Sequence, residues 1–321
     1  MVPETPHIVC LEECHCPVPP LPFPHTYKGY NKTSHDQVPS RLGEADIAIT
    51  TIVPITCADL DAHPRLKCVF VWATGVDWVD IDGFRARGVT VIRAPQSNVD
   101  TVSEHAIAFY FASRRRIVDM HNRCMASDEY AEKRTLTYHF GGPPLTCSAE
   151  VVMIIGHGFL GKRVQALVSA LGMKVLIAER KGMSGSDVRE GRTEFNEALR
   201  KATVVILTTA KNPETIGLIG ASEFETMRKD SILINVSRGG IVDEGALVDA
   251  LRNGEIGAAA TDVFEKEPPV RGESVLLSGD VPNLIVSPHL AWFSVQTIQN
   301  LQDLLLRGLV AYYNDAPINT V

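Results

Sequence analysis

Long apolar runs are missing from this sequence. No stretch of its 321 residues could span a bilayer, and the first thirty residues lack the apolar core of a secretory signal. Positive charge is in deficit too: a formal net charge of -7 gives no basic footprint for nucleic acid. The short run Arg114, Arg115, Arg116 reads as a solvated helix end. The seven cysteines are odd in number and irregular in spacing, which argues against a disulfide framework. Cys14, His15 and Cys16 have no second pair at ligand spacing, so no metal is expected. Internal repeats are absent, and the only biased segment is a proline-rich loop from Pro17 to Pro24. What remains is ordinary for a reduced, cytoplasmic globular protein: 45% apolar and 21% charged residues, with length enough for two domains.

The most informative stretch is Val151–Lys181. A continuous apolar run, Val151–Ile155, reads as a strand buried on both faces. Gly156, His157, Gly158, Phe159, Leu160 and Gly161 follow as G-x-G-x-x-G. Apolar residues at helical spacing come next (Val164, Leu167, Val168, Leu171), then Gly172 as a helix stop, then a second strand ending on Glu179. In such a strand–loop–helix context the first glycine permits a tight turn and the second admits a pyrophosphate to the backbone. The third lets helix and strand pack closely. Glu179 is placed to accept from the adenine ribose diol, which favours NAD. Arg180 and Lys181 directly behind it could hold the 2′-phosphate of NADP.

Before this unit, short apolar runs at His7–Leu11, Asp46–Thr50, Cys68–Ala73 and Val89–Ile92 suggest a smaller parallel α/β unit. Its turn Ala73-Thr74-Gly75-Val76-Asp77 follows a strand directly and leaves N–H groups that can hold a carboxylate or carbonyl oxygen. The same turn could equally be a plain strand-to-helix connection. A long helix is expected from Thr101, capped by Asp100 or by a Thr101–Glu104 capping box, to about Met120. Residues 126–147 read as an aperiodic connection, and a domain boundary falls near residue 100. After Glu179, strand-length runs at 203–208, 231–236, 258–263 and 284–287 alternate with helical segments at 194–201, 222–228 and 244–252. About six strands result, as a doubly wound sheet requires.

Ligands of such sheets bind beyond the carboxyl ends of the strands, where three polar groups stand out. Arg238 follows one strand, the acids Asp262, Glu265 and Glu267 follow the next, and His289 follows the last. Arginine can clamp a carboxylate bidentately, imidazole can give and take a proton, and a carboxylate behind it can fix its tautomer.

These segments together resemble the D-2-hydroxyacid dehydrogenase family. That family includes glyoxylate/hydroxypyruvate reductases, phosphoglycerate dehydrogenases and the C-terminal-binding-protein corepressors. The resemblance spans roughly residues 45–315 and rests on ATGVDWVDI (73–81), VSEHA (102–106), GHGFLG (156–161), INVSRGGIVDEGAL (234–247), TDVFEKEPP (261–269) and SPHLAW (287–292). It implies two Rossmann-like domains: a doubly wound NAD(P)-binding domain at 101–292, and a smaller flavodoxin-like substrate domain at 1–100 completed by 293–321. It also implies reduction of a 2-oxo acid to a D-2-hydroxy acid, and the reverse, in a homodimer joined through the cofactor domain.

Residue by residue, the resemblance implies a catalytic trio of Arg238, Glu267 and His289; among the acids, Glu267 matches and Glu265 does not. Thr208, Val236, Ser237, Arg238, His289 and Ala291 would line the cofactor groove with Asp262 near the nicotinamide. Ala73, Thr74, Gly75, Arg238, His289 and Trp292 would meet the substrate. Trp292 stands where many family dehydrogenases have a small residue, and would either favour an apolar or aromatic substrate side chain or be a packing residue beneath the nicotinamide loop. The chain also resembles the corepressor branch there, which makes a dinucleotide-sensing corepressor or scaffold the alternative function. His157 is unusual beside a pyrophosphate and could point outward. Trp72 and Trp78 flank the 73–77 turn and could line a pocket or belong to the core.

Overall fold

The computed structural model describes residues 3–321, so the first two residues of the expected substrate segment lie outside the described residues. The chain divides into two compact units. One comprises residues up to Asn98 together with Phe293–Val321; the other is Val99–Trp292. Both are parallel α/β units. Among the described residues no helix is long and apolar enough to cross a membrane.

In the first unit, β1 (His7–Cys10), β2 (Thr26–Gly29), β3 (Ile47–Thr50), β4 (Cys68–Val71) and β5 (Thr90–Arg93) form a sheet in the order β2-β1-β3-β4-β5. This is the flavodoxin-like order. Val9, Ala48, Val69 and Val91 lie in one apolar cluster with Leu42, Leu60 and Phe84 from the helices. The helix Val295–Tyr313 belongs to this unit, opened by Ser294, which accepts from the Thr297 N–H. Gly308 lets it lie against the Phe70 ring, which a Cβ would approach to 2.8 Å. Trp72 is core here, with its indole N–H on the Leu301 carbonyl at 2.9 Å. The strand β2 was not expected; its residues face solvent at the sheet edge.

In the second unit, β6 (Val151–Ile155), β7 (Lys174–Ile177), β8 (Val204–Leu207), β9 (Ile232–Asn235), β10 (Ala258–Thr261) and β11 (Leu284–Val286) form a sheet ordered β11-β10-β9-β8-β6-β7. A single parallel bridge, Ala178 to Thr193, continues it beyond β7. Chain direction across the sheet reverses between β6 and β8, which creates the crevice where doubly wound sheets take ligands. Period-two alternation sorts the strand residues. Met153, Ile155, Val205, Leu207 and Leu233 pack with Phe195, Phe224 and Leu247 on one face. Val152, Ile154, Val204, Ile206 and Ile234 pack with Val102, Phe109 and Val164 on the other. Each such side chain contributes roughly 1.5–3 kcal/mol by leaving water.

Two helix expectations are corrected. The long helix starts at Val99, so Thr101–Glu104 lies inside it and not at its start. It also ends at Arg114 instead of near Met120, because Arg116 takes a left-handed conformation (φ 49°) from which a separate helix, Ile117–Ala126, departs. The supposed aperiodic connection also holds a short helix, Glu129–Lys133. Nor is Arg114 solvated. Its guanidinium donates to both oxygens of fully buried Glu150 at 2.6 and 2.9 Å, and to the carbonyls of Asp230 and Thr203.

Candidate active site

The glycine loop spans the crevice between β6 and β8, and its three glycines face three different surroundings. Gly156 has φ 92°, a conformation L side chains rarely adopt, and a Cβ there would meet the Thr209 backbone at 2.7 Å. Gly161 sits 2.1 Å, measured from an ideal Cβ, from the Gly156 carbonyl oxygen. At Gly158 a Cβ meets no protein atom within 4 Å, so the space a side chain would fill lies outside the protein. Gly158 is also the N-cap of Phe159–Ala170, whose first N–H groups have no partner within the helix. A tight turn, a close packing contact and an open approach to a helix N-terminus fit a bound pyrophosphate. Thr208 ties the crevice together by donating to the Gly156 carbonyl at 2.7 Å. His157 is held by Gln165 at 2.6 Å; Phe159 is exposed and Leu160 packs on the core.

Glu179, at the end of the β7 segment, is almost fully buried and already has donors. Its oxygens accept from the Arg180 N–H (2.8 Å), the Arg189 N–H (3.1 Å), Arg189 Nε (2.8 Å) and Arg189 Nη2. The Arg189 guanidinium holds this carboxyl at about 2, well below the usual carboxylate range. Lys181 is engaged elsewhere, pairing with Glu223 at 2.8 Å.

Past the ends of β9, β10 and β11 three loops converge. The β9 loop is an Asx-type turn: the Asn235 side chain accepts from the Ser237 N–H (3.1 Å) and hydroxyl (2.9 Å) and donates to the Arg238 carbonyl (3.0 Å). Val236 and Ser237 are buried within it. Gly239 then passes so close to the β10 loop that a Cβ would lie 1.7 Å from the Phe264 carbonyl oxygen. That contact seats Arg238 near Glu267, whose charge it influences. Glu267 accepts from the Phe264 N–H at 2.9 Å with one oxygen and meets His289 Nδ1 at 2.6 Å with the other. Burial pushes the Glu267 carboxyl up, but the His289 hydrogen bond and charge, with the Phe264 N–H and the Arg238 charge, together outweigh it, and the net direction is down. Glu265, by contrast, uses its N–H on Glu244. His289 is a non-glycine residue at φ 53° and about two-fifths exposed, so its imidazole is reachable from solvent. Asp262 is buried beneath the same turn and accepts from the N–H groups of Leu290 (2.9 Å) and Ala291 (2.8 Å). Ala291 and Trp292 pack against the core face formed by Val152 and Ile154.

The 73–77 turn belongs to the first unit. The Ala73 carbonyl accepts from the Ala94 N–H at 3.0 Å, and the Thr74 carbonyl accepts from Arg93 Nη1 at 2.9 Å. Among the described residues, no acceptor faces the N–H groups of Thr74, Gly75 and Val76. The Thr74 hydroxyl is anchored by Ala94, Ser97 and Asn98. Trp78 packs at the edge of the core, and no group of three His, Cys, Asp or Glu among the described residues could hold a metal.

Sequence reasoning missed Arg189 and the turn-forming role of Asn235. Arg189 lies in an irregular loop with no motif around it. Asn235 could have been found, since asparagine at a strand end before Ser-Arg-Gly-Gly is a turn signal.

Residues 107–291 match the family model for the D-isomer specific 2-hydroxyacid dehydrogenase, NAD binding domain. The chain is 38% identical over 302 residues to a glycerate dehydrogenase of Methylorubrum extorquens, covering 93% of each protein. A hydroxypyruvate reductase of Blautia hydrogenotrophica is 29% identical, over 92% of this chain and 90% of that one. In fold, the chain is similar to a D-lactate dehydrogenase from Aquifex aeolicus solved with NAD and lactic acid. The TM-score is 0.76 at 22% identity, over 91% of this chain and 90% of that one. The chain belongs to the D-isomer specific 2-hydroxyacid dehydrogenase family and is an NAD-dependent oxidoreductase acting on CH–OH donors.

Proposed function

We propose that the protein interconverts a small 2-oxo acid and its D-2-hydroxy acid, with His289 as proton donor and acceptor. The observation that carries this reading is the 2.6 Å contact of His289 Nδ1 with Glu267, with Arg238 beside the pair on the neighbouring loop. Glu267 fixes Nδ1 as the protonated nitrogen and leaves Nε2 to face the substrate oxygen. Arg238 holds the substrate carboxylate through its fork of donors. The turn at 73–75, with its N–H groups available, suits a carboxylate or carbonyl oxygen as well. The dinucleotide, when bound on the 156–161 loop, supplies or accepts the hydride at C2. His289 then neutralises the alkoxide that this creates, which spares the transition state a free negative charge. Reduction therefore starts from the imidazolium, whose Nε2 proton passes to the alkoxide and leaves the Nδ1–H tautomer; oxidation returns that proton to Nε2, and Glu267 offsets the imidazolium charge in both directions.

Glycerate dehydrogenase and hydroxypyruvate reductase among the relatives make hydroxypyruvate the first substrate to try. The partly buried Trp292 supports a second test with apolar 2-oxo acids. For the cofactor, the match to an NAD binding domain supports NAD; Glu179 is ion-paired with Arg189, so its ionisation carries no preference between NAD and NADP. A homodimer is supported by the helix Ile117–Ala126, none of whose residues is buried although Ile117, Val118 and Met125 are apolar. The dinucleotide-sensing corepressor reading gains no support from these relatives, whose names are those of enzymes.

The test is oxidation of NADH and NADPH, followed by absorbance, over hydroxypyruvate, glyoxylate, pyruvate, phenylpyruvate and a branched 2-oxo acid. Saturable turnover of one acid supports the reading. No turnover of any acid by protein that binds the dinucleotide would overturn it. Sedimentation of the protein would decide the dimer.

A further inference from the structure

The turn Ser287–Ala291 holds His289 in a left-handed backbone conformation, which a non-glycine residue keeps only when its surroundings over-determine it. The restraint comes from Asp262. Its carbonyl accepts from the His289 N–H at 2.8 Å, and its carboxylate accepts from the N–H groups of Leu290 (2.9 Å) and Ala291 (2.8 Å). The carboxylate also accepts from the Ser287 hydroxyl. Ser287 has one proton, and that proton goes to Asp262. Its oxygen is therefore left to accept, and the group facing it is His105 Nε2 at 3.1 Å, itself 3.8 Å from the carboxylate. The donors therefore run from His105 to Ser287 to Asp262, and the same carboxylate accepts from the backbone N–H groups of the turn that carries His289.

His105 is well placed to be the fixed end. It stands on the helix Val99–Arg114, between core residues Val102, Ala106 and Phe109, with its ring edge-to-face on Phe109 at 4.4 Å. Burial lowers its pKa, with the Asp262 charge opposing, so the neutral ring with the proton on Nε2 is the form that completes the chain.

We propose that His105 is a positioning residue for His289, acting through Ser287 and Asp262 on the turn that aims the imidazole at its substrate. This inference rests on the assignment of His289 as proton donor. It predicts behaviour that a merely structural histidine would not show, because the effect travels along hydrogen bonds with a defined donor order.

The experiment uses full-length His105→Ala, His105→Gln, Ser287→Ala and the double variant His105→Ala/Ser287→Ala. Two readouts are taken. The first is kcat beside dinucleotide Kd. The second is the low-field proton resonance of the His289 Nδ1–H in the free protein, assigned by its loss in His289→Gln. His105→Ala should lower kcat about ten- to hundredfold with Kd within about twofold of wild type, since small misorientation of a reacting group is costly. His105→Gln, which keeps an N–H donor, should recover most of the rate. The double variant should be no slower than Ser287→Ala alone, as members of one chain are not additive. The low-field resonance should broaden or shift in His105→Ala and return in His105→Gln.

A His105→Ala kcat within about twofold of wild type, an additive double variant, or an unchanged resonance would overturn the proposal. Should His105→Ala fail to fold, Ser287→Ala and His105→Gln decide it by the same readouts. If the wild type turns over no 2-oxo acid, the functional reading fails, and the resonance still decides whether His105 positions His289.

Discussion

Gly158→Ala separates the fold from dinucleotide binding. Its backbone angles, φ -79° and ψ -157°, lie in extended space open to alanine, and the new methyl meets no protein atom within 4 Å. Replacing glycine where the backbone is compatible stabilises by about 0.4–1 kcal/mol through the unfolded chain. Alanine is a poorer N-cap than glycine, at a cost of roughly 0.5 kcal/mol. The two effects nearly cancel, so the free protein should melt within about 2–4 °C of wild type. If the loop holds the pyrophosphate as proposed, the methyl would stand where phosphate oxygens approach the backbone. Loss of one charge-assisted N–H contact, about 1.5–3 kcal/mol, corresponds to roughly ten- to hundredfold weaker binding. Gly161→Ala is the contrast. Its methyl would lie 2.1 Å from the Gly156 carbonyl oxygen, so backbone must shift and stability should fall by about 1–3 kcal/mol along with binding. Calorimetric titration with NADH and thermal melts of the free proteins read both quantities. Wild-type NADH affinity in Gly158→Ala would refute the assignment of this loop to the pyrophosphate.

Further outcomes follow from the same geometry. Glu267→Gln leaves His289 Nδ1 without its carboxylate and should lower kcat by roughly 10²–10³ while NADH affinity is kept; steady-state rates beside binding titrations check this. Arg238→Ala should raise KM for the 2-oxo acid far more than it weakens NADH, and an unchanged KM would remove the clamp. Glu179 is held at about 2 in the fold against about 4.3 unfolded, so its stabilising effect is complete above pH ~4.3 and is lost as pH falls toward 2. Glu179→Gln should therefore melt lower than wild type at pH 7, and the gap should close as the pH of the melt is brought down through 4. Arg114→Ala leaves the fully buried Glu150 without its ion pair and should cost about 3–5 kcal/mol in urea unfolding.

Features whose cause is local were legible in the sequence. The inner strands β6, β8, β9 and β10 are buried on both faces, so they appear as unbroken apolar runs and each lies within a predicted run; at the partly exposed edge, β7 begins at Lys174, one residue before the run expected at Val175–Ala178. The glycine loop was legible because its steric demands fall on adjacent residues: Gly156 needs a positive φ and Gly161 a missing Cβ. The strand β2 was not, because Thr26–Gly29 is a solvent-facing edge with no apolar period to mark it. The helix break after Arg114 was also hidden. No glycine or proline announces it, and Arg116 simply adopts the left-handed conformation there.

Polar partnerships divide by the same criterion. Arg114 looked like part of a solvated basic run because its partner, Glu150, is 36 residues away and nothing in either neighbourhood names the other. Arg189 escaped notice although only ten residues separate it from Glu179, since the loop between them is irregular. Spacing alone also left Glu265 and Glu267 open as the acid of the site; only the family resemblance distinguished them. In the structure Glu267 turns back to the Phe264 N–H with one oxygen and meets His289 with the other. That back-bond aims the carboxylate before any ligand arrives. A group so preorganised loses little orientational freedom when the proton moves, which is the advantage of a fixed dipole over water at a reacting centre. If His289 moves the proton as proposed, the bonds around Asp262 bear on the chemistry as well, because a turn that holds histidine at φ 53° can aim it only as firmly as Asp262 itself is held.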